Sequence, residues 1–529
     1  MAATENKQRH VPSVSSAQAW IILVTLFSAE SALADQWTLT PSVSARAELT
    51  DNVGQAPDGN KESALILGVT PGFRLQSVGA RRLKVDVSYF LSGVERLGEK
   101  NTSSDLNHSL GARANAEIVD QLFFVDATAN VSQVLTSLLG APGGGTLDTG
   151  NLTTVGTYSL SPYLTKRFGT FAAGQVRYTT SGALFQNNAG GDINANTLTA
   201  ALNSGSRFND LSWALNYSLR DAKIHNDGSN QFEHYDATLG YALTRKIRAF
   251  GSVGYDNNDY PSLTKTSGPS WTAGLGWSPS RLTSMDGSVG HNYFGNTYSA
   301  NFNHRSHFST WFARYSEGVN DISQVLLAAN ESVIWDCTGE GFQVSSNLTA
   351  PFPDCAEVGT LQNAQDFLGP LLGLTPQGVV EFLLSRGVPL LSLANGVFLN
   401  KTFNGGVSWT KGKNSLGLNI FDTKRIFQNL GGLPGDETRG ITGLYGYRLD
   451  PRTTLNTSLS LTNNLVPASL SGLTTDRNDK IYIASVGMTR QFQPKLSGSL
   501  IYRYTTRRSN DSAFDFNENN LTALVNMTF

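Results

Sequence analysis

His234 and Asp236 stand two residues apart in "HYDATLGY". On an extended strand that spacing puts both side chains on one face. A histidine beside a carboxylate is the beginning of an acid–base pair. Catalysis would need a third partner, and no serine or metal ligand stands at a supporting spacing, so the pair reads as part of a polar wall. No H-E-x-x-H, C-x-x-C or phosphate-binding glycine loop occurs. "GAPGGG" at 140–145 lacks the strand-to-helix setting that a phosphate site needs and reads as a loop. No catalytic, metal-binding or cofactor-binding residue is assigned, and the chain reads as a non-enzyme.

A larger set of ionisable residues alternates with apolar ones. Arg46, Glu48, Arg74, Lys84, Asp86, Arg113, Glu117, Asp126, Arg177, Arg220 and Arg503 all fall on the polar side of such alternations. Read as lining a lumen, they mix both signs. Strong ion selectivity would place one sign in rings. The mixture fits a neutral or weakly selective path, or an ion-paired interior that supports a wall. The two cysteines, Cys337 and Cys355, are expected to be bonded, because the chain passes through an oxidising compartment. Closing that loop contributes ~3 kcal/mol in the chain-entropy model.

The elements that carry these residues have period two. In "WTLTPSVSARAEL", Trp37, Leu39, Pro41, Val43, Ala45, Ala47 and Leu49 share one face, and Thr38, Thr40, Ser42, Ser44, Arg46 and Glu48 the other. "LKVDVSYFL", "FFVDATANVS" and "LSWALNYSLR" repeat the pattern. About 22 such segments follow one another (range 18–24), near the ~9–11 residues a tilted strand needs to cross a bilayer. No strict repeat of fixed period occurs, which disfavours a solenoid or propeller. Short links such as "GARR" (79–82), "DQ" (120–121) and "DPRT" (450–453) follow even-numbered strands. Longer Gly/Asn/Asp/Ser-rich links, such as 53–62, 138–151, 185–195, 225–230 and 465–478, follow odd ones, with "GN" at 295–296 the short exception. Short turns on one rim and long loops on the other predict an all-β, antiparallel up-and-down outer-membrane barrel.

The ends support the same placement. Lys7, Arg9 and His10 precede the apolar "AWIILVTLFSA", and Ala32-Leu33-Ala34 offers a cleavage site, so residues 1–34 read as a signal peptide and 35–529 as the barrel. The apolar run is shorter than the ~20 residues of a spanning helix. The final "LTALVNMTF" puts Leu521, Ala523, Val525, Met527 and Phe529 on one face. Such a strand, ending on Phe529, resembles the terminal insertion signal of bacterial outer-membrane proteins. With 40 basic and 42 acidic residues the net charge is −2, which gives no ground for a nucleic-acid partner.

One stretch departs from the pattern. Residues 320–395 form a long insert within the barrel, extracellular or plug-like. Its second half, "TPQGVVEFLLSRG", reads as a helix from the cap at Thr375 and Pro376 to Gly387.

"WTLTPSVSARAELTDNV", "TPGF" at 70–73 and "DQLFFVDA" at 120–127 resemble the uncharacterised PEP-CTERM-system-associated outer-membrane β-barrel family, found with exopolysaccharide gene clusters in Gram-negative bacteria. The likeness is best from Trp37 to Gln133. It implies no activity and no site residues, only a setting. The expectation is an outer-membrane conduit for exopolysaccharide or a related solute, or else an envelope protein that retains polysaccharide or a partner at the surface. The partners expected are outer-membrane lipid, the barrel-insertion machinery and polysaccharide or export components.

Overall fold

A computed structural model describes residues 37–529 except 78–81, 99–101, 138–139, 142–146, 148–149, 187–190, 225–227, 323, 326–332, 338–340, 346–354, 361–395, 429–433 and 469–474. The segment 1–34 and the helix read over 375–387 lie outside the described residues. So do the side chains of Cys337 and Cys355.

The strands are β1 (Trp37–Thr50), β2 (Ala64–Ser77), β3 (Leu83–Gly98), β4 (Thr102–Val119), β5 (Phe123–Leu135), β6 (Leu152–Phe168), β7 (Ala172–Phe185), β8 (Ile193–Ser204), β9 (Leu211–Ile224), β10 (Gly228–Ala242), β11 (Ile247–Asn257) and β12 (Ser267–Ser280). They continue as β13 (Thr283–Asn292), β14 (Gly295–Arg305), β15 (Ser309–Asp321), β16 (Val333–Cys337), β17 (Gly341–Ser345), β18 (Cys355–Thr360), β19 (Val397–Lys411), β20 (Asn414–Phe427), β21 (Pro434–Asp450), β22 (Thr453–Val466), β23 (Arg477–Gln493), β24 (Leu496–Ser509) and β25 (Phe516–Thr528). All but β16–β18 form one 22-stranded sheet, each strand antiparallel to its sequence neighbours. β15 pairs directly with β19, across the insert. The sheet closes when β1 pairs β25, from Ser42 opposite Thr528 to Thr50 opposite Asn520. The architecture is therefore the up-and-down barrel that the alternation predicts.

Closure satisfies every ladder around the ring, which a bilayer demands because it offers no hydrogen-bond partners. Phe529 has its place: its amide donates to Pro41 O at 2.9 Å, extending the seam one residue beyond β25. Two-residue turns need backbone angles that glycine adopts without strain, and Gly412, at φ 63°, supplies them between β19 and β20.

The outward rows are apolar and open to the surroundings. Leu49, Val69, Leu160, Leu215, Leu239, Val253, Leu275, Leu459, Leu500, Leu521 and Val525 are all exposed. Around the short-turn rim stand exposed aromatics: Phe168, Phe171, Tyr241, Trp277, Phe308, Trp311, Phe492 and Phe529. A second belt of Tyr178, Tyr235, Tyr255, Trp271 and Tyr298 lies farther up the wall. Two aromatic belts around an apolar band match the two interfaces of a bilayer.

Three connections differ from expectation. The β3–β4 and β9–β10 links, 99–101 and 225–227, are short although they follow odd strands. The composition of "HNDGSN" predicts a loop to residue 230, yet Gly228 already pairs with Ile224. The short β13–β14 turn is 293–294, with Gly295 starting the next strand at φ 118°. Polar residues at strand ends above a membrane can pair as readily as apolar ones, so composition alone misplaces these ends. The insert also holds a sheet that its sequence did not announce: β17-β16-β18, in which Cys337 faces Cys355 in register.

A charge in the apolar band should unfold the barrel, whereas the same charge inside should not. Leu215→Arg should cost about 2–4 kcal/mol and reduce the heat-modifiable folded fraction in detergent. Ser299→Arg, on the solvent-lined inner face, should leave it unchanged.

Candidate functional site in the barrel interior

The face opposite the apolar rows is polar, and its two sides differ. From β20 through β25 and on to β9 the inner wall is largely covered. From β11 to β15 it is largely open.

The covered side is tied by ion pairs. Arg74 Nε donates to Asp86 Oδ1 at 3.0 Å, and Gln76 Nε2 reaches Asp86 Oδ2 at 3.0 Å. Arg177 Nη1 donates to Asp126 Oδ2 at 2.8 Å while its guanidinium lies 3.9 Å over the Tyr163 ring. Asn115 also bonds Asp126, and Tyr163 stacks on Phe124 at 5.1 Å. Arg477 grips Asp479 with both arms, at 3.0 and 2.7 Å, and Arg507 stands 4.0 Å from the same carboxylate. Arg477 also lies 3.6 Å over the Phe514 ring. At the seam, Asn520 Nδ2 bridges the buried Glu48 and Glu518, at 2.5 and 3.2 Å, and Thr50 and Gln55 donate to Glu518 at 3.0 and 2.8 Å. Burying carboxylates is tolerable only with such donors around them.

The residues singled out from sequence distribute unevenly. Arg74 with Asp86, and Arg177 with Asp126, form pairs. Glu48 joins the seam network. Arg46 lies opposite Gly68 on the inner wall, and Arg503 is buried on β24. Arg113 is half-buried on β4, opposite Asp86 of β3 and Thr128 of β5. Lys84 is exposed at the short-turn rim. Glu117 turns back to its own hairpin and accepts from Gln121 N at 2.6 Å.

Arg220 on β9 meets Asp321 at the end of β15, at 3.4 Å. These strands are far apart around the wall, so the upper end of the β15–β19 hairpin crosses the lumen. Ile322 follows it into an apolar cluster on the inner face: Val134, Val155, Ala183, Phe185, Ile193 and Ile224. The described residues of two other loops also lie over the interior. In 136–151, the Asn151 side chain ties Thr136, Ser137 and Ala141 together. The same loop lays Leu147 on Ala64, Ile66 and Val94, and Gly140 O accepts from Arg507 at 3.0 Å. In the β11–β12 loop, Leu263 N donates to Gln428 O at 3.3 Å, across from β20. Burial raises the hydroxyl pKa of Tyr260 in that loop and of Tyr293, to which it donates at 3.1 Å.

The open side has a different chemistry. Arg248, Asp286, Ser299, Asn303 and Arg314 are exposed on the inner face, with Ser288 and Asn301 half-buried. Asn303 Nδ2 donates to Asn301 Oδ1 at 3.2 Å, and Asn301 Nδ2 to Asp286 Oδ1 at 3.3 Å. Ser288 and Ser299 share a bond of 2.7 Å. Amides and hydroxyls dominate this exposed set, with one acid and two arginines, and Asp256 and Arg305 lie half-buried on the same face. Sequence reasoning missed this track because polar residues on both faces of 281–320 blur the alternation.

His234 sits on the inner face beside it. Its Nδ1 lies 2.9 Å from Asp256 Oδ1 and its Nε2 3.3 Å from Asp236 Oδ1. Asp236 is further held by Asn216 at 3.2 Å and Thr238 at 3.0 Å. Both ring nitrogens face carboxylates, so neither is directed at a nucleophile. Among the described residues, no group of three or more His, Cys, Asp or Glu side chains is arranged to hold a metal ion.

No protein-family model and no curated protein sequence matches the chain. Solved structures align with most of the chain. The FrpB iron transporter from Neisseria meningitidis (F5-1 variant) is 11% identical, with 94% of this chain and 83% of that chain covered and a TM-score of 0.48. The siderophore receptor PirA from Pseudomonas aeruginosa is 10% identical, covers 93% and 80%, and has a TM-score of 0.44. Pseudomonas aeruginosa OccK5 (OpdH) is 12% identical, covers 93% and 98%, and has a TM-score of 0.31.

The buried Arg477–Asp479 pair yields a stability test. Asp479→Ala takes the carboxylate from the buried Arg477 guanidinium and should destabilise the barrel by about 3–5 kcal/mol, whereas the double change Arg477→Met with Asp479→Leu should recover most of that loss, because Arg507 keeps its bonds to Gly140 O and Phe514 O. Urea unfolding in detergent, followed by tryptophan fluorescence, measures both.

Proposed function

We propose that the protein is a bacterial outer-membrane conduit for a neutral or weakly charged polar solute, with exopolysaccharide or a related saccharide as its cargo. The observation that carries this reading is the open track on β11–β15. Its Asn301, Asn303, Ser288 and Ser299 side chains offer donors and acceptors in close succession, as sugar hydroxyls require. Its charges, Asp256 and Asp286 against Arg248, Arg305 and Arg314, do not form a ring of one sign, so a strongly ion-selective path is not the reading it favours. The resemblance of the N-terminal third to a family found with exopolysaccharide clusters supports the choice of cargo. In this reading the signal peptide directs export, Phe529 is read by the insertion machinery, and no catalytic step is assigned.

A second reading has its own observation. Loops cross the lumen, held by Arg220 with Asp321 and by Leu263 with Gln428. A covered mouth suits an envelope protein that retains polysaccharide or a partner at the surface without open transport.

Planar-bilayer recording separates the two. Wild-type barrel should conduct weakly, with added oligosaccharide reducing the current. Arg220→Ala combined with Asp321→Ala releases the hairpin end and should enlarge the unitary conductance. Silence from both proteins would end the conduit reading and leave the retention role.

A further inference from the structure

We propose that the outer face of β6–β9, near the short-turn rim, binds a single phospholipid of the adjoining leaflet, one acyl chain lying in a groove of the wall and the phosphate on Lys166. This site lies on the lipid side of the barrel, so it does not depend on what passes through the lumen.

The register builds the groove. Lys166, Gly174, Leu202 and Leu215 stand opposite one another across four successive strands, and Leu164, Val176, Ala200 and Tyr217 form the next row. Gly174 and Ala200 are diagonal neighbours with almost no side chain, so the wall dips between the larger groups. The resulting cavity is about 400 Å³. Its flanks close over the dip: a Cβ built on Gly174 would lie 3.3 Å from Phe168 Cε2 and 3.4 Å from Leu202 Cδ1. The groove is mostly apolar and open to the bilayer, which suits a hydrocarbon chain.

Lys166 sets the polarity of the ligand. It lines the groove two residues from the end of β6, and its ammonium makes no ion pair or hydrogen bond among the described residues. A lysine on the lipid face extends its ammonium toward the interface. There an anionic phosphate is its natural counterion. Phe171, Phe208 and Trp213 mark that interface just below, with ring centroids 5.5 to 5.9 Å apart. The groove and the cation therefore lie at the depths of the chain and headgroup of one lipid. A second copy of the chain would supply neither the phosphate nor the chain.

Native mass spectrometry of the folded barrel in non-ionic detergent tests this. Phosphatidylglycerol should remain bound at one molecule per barrel, and diacylglycerol with the same chains more weakly. Lys166→Gln should reduce phosphatidylglycerol retention about fivefold, the effect of one basic residue near an anionic lipid, and leave diacylglycerol retention unchanged. Ala200→Phe fills the dip and should reduce both. Heat-modifiable migration shows that each variant is folded. Equal retention by wild type and both variants would overturn the site. So would a dimer mass that retains no lipid and is lost in Ala200→Phe.

Discussion

A bilayer cannot hydrogen-bond a peptide group, and the rest of this structure follows from that constraint. A sheet in lipid must have no edge. The pairing of β1 with β25 removes the edge, and it joins residues almost the whole chain apart. The seam is reinforced from inside, where Thr50, Gln55 and Asn520 supply donors to the buried carboxylates of Glu48 and Glu518. The outer side of the same seam carries Leu49, Leu521, Val525 and Phe529, which lipid covers at no hydrogen-bonding cost.

Closure leaves a lumen too wide for wall side chains to fill. The molecule fills part of it with its own loops. Leu147 and Ile322 each lie on an apolar patch of the inner wall, so burial holds these loops down as it would hold a core. The remaining part stays polar and solvent-lined. The asymmetry between a packed β20–β9 side and an open β11–β15 side gives the interior a track instead of a uniform pore. The ion pairs concentrate on the packed side, where desolvation makes an unpaired charge most costly.

The sequence determined the class of fold and the face of most residues. Alternation sends Arg74, Asp86, Asp126, Arg177 and Arg220 inward because a strand offers two faces and lipid accepts one kind of side chain. The long gap between β15 and β19 was legible as an insert because it breaks that period for so many residues. Strand ends were less legible, as at Gly228 and Gly295, since above the membrane both faces are wet and the contrast vanishes.

Which inward residues meet was decided only by the tertiary structure. The neighbour of a side chain inside the barrel depends on register, shear and loop path, none of which a local pattern encodes. Glu117 and Asp86 look alike in sequence, yet one caps its own turn and the other pairs with Arg74. Arg220 finds Asp321, and Arg507 finds Gly140, only because loops return across the lumen. Period two is local physics, felt within a few residues, and the chain carries it openly; closure of the ring is a property of the whole, and the contacts within it exist only once the ring is shut.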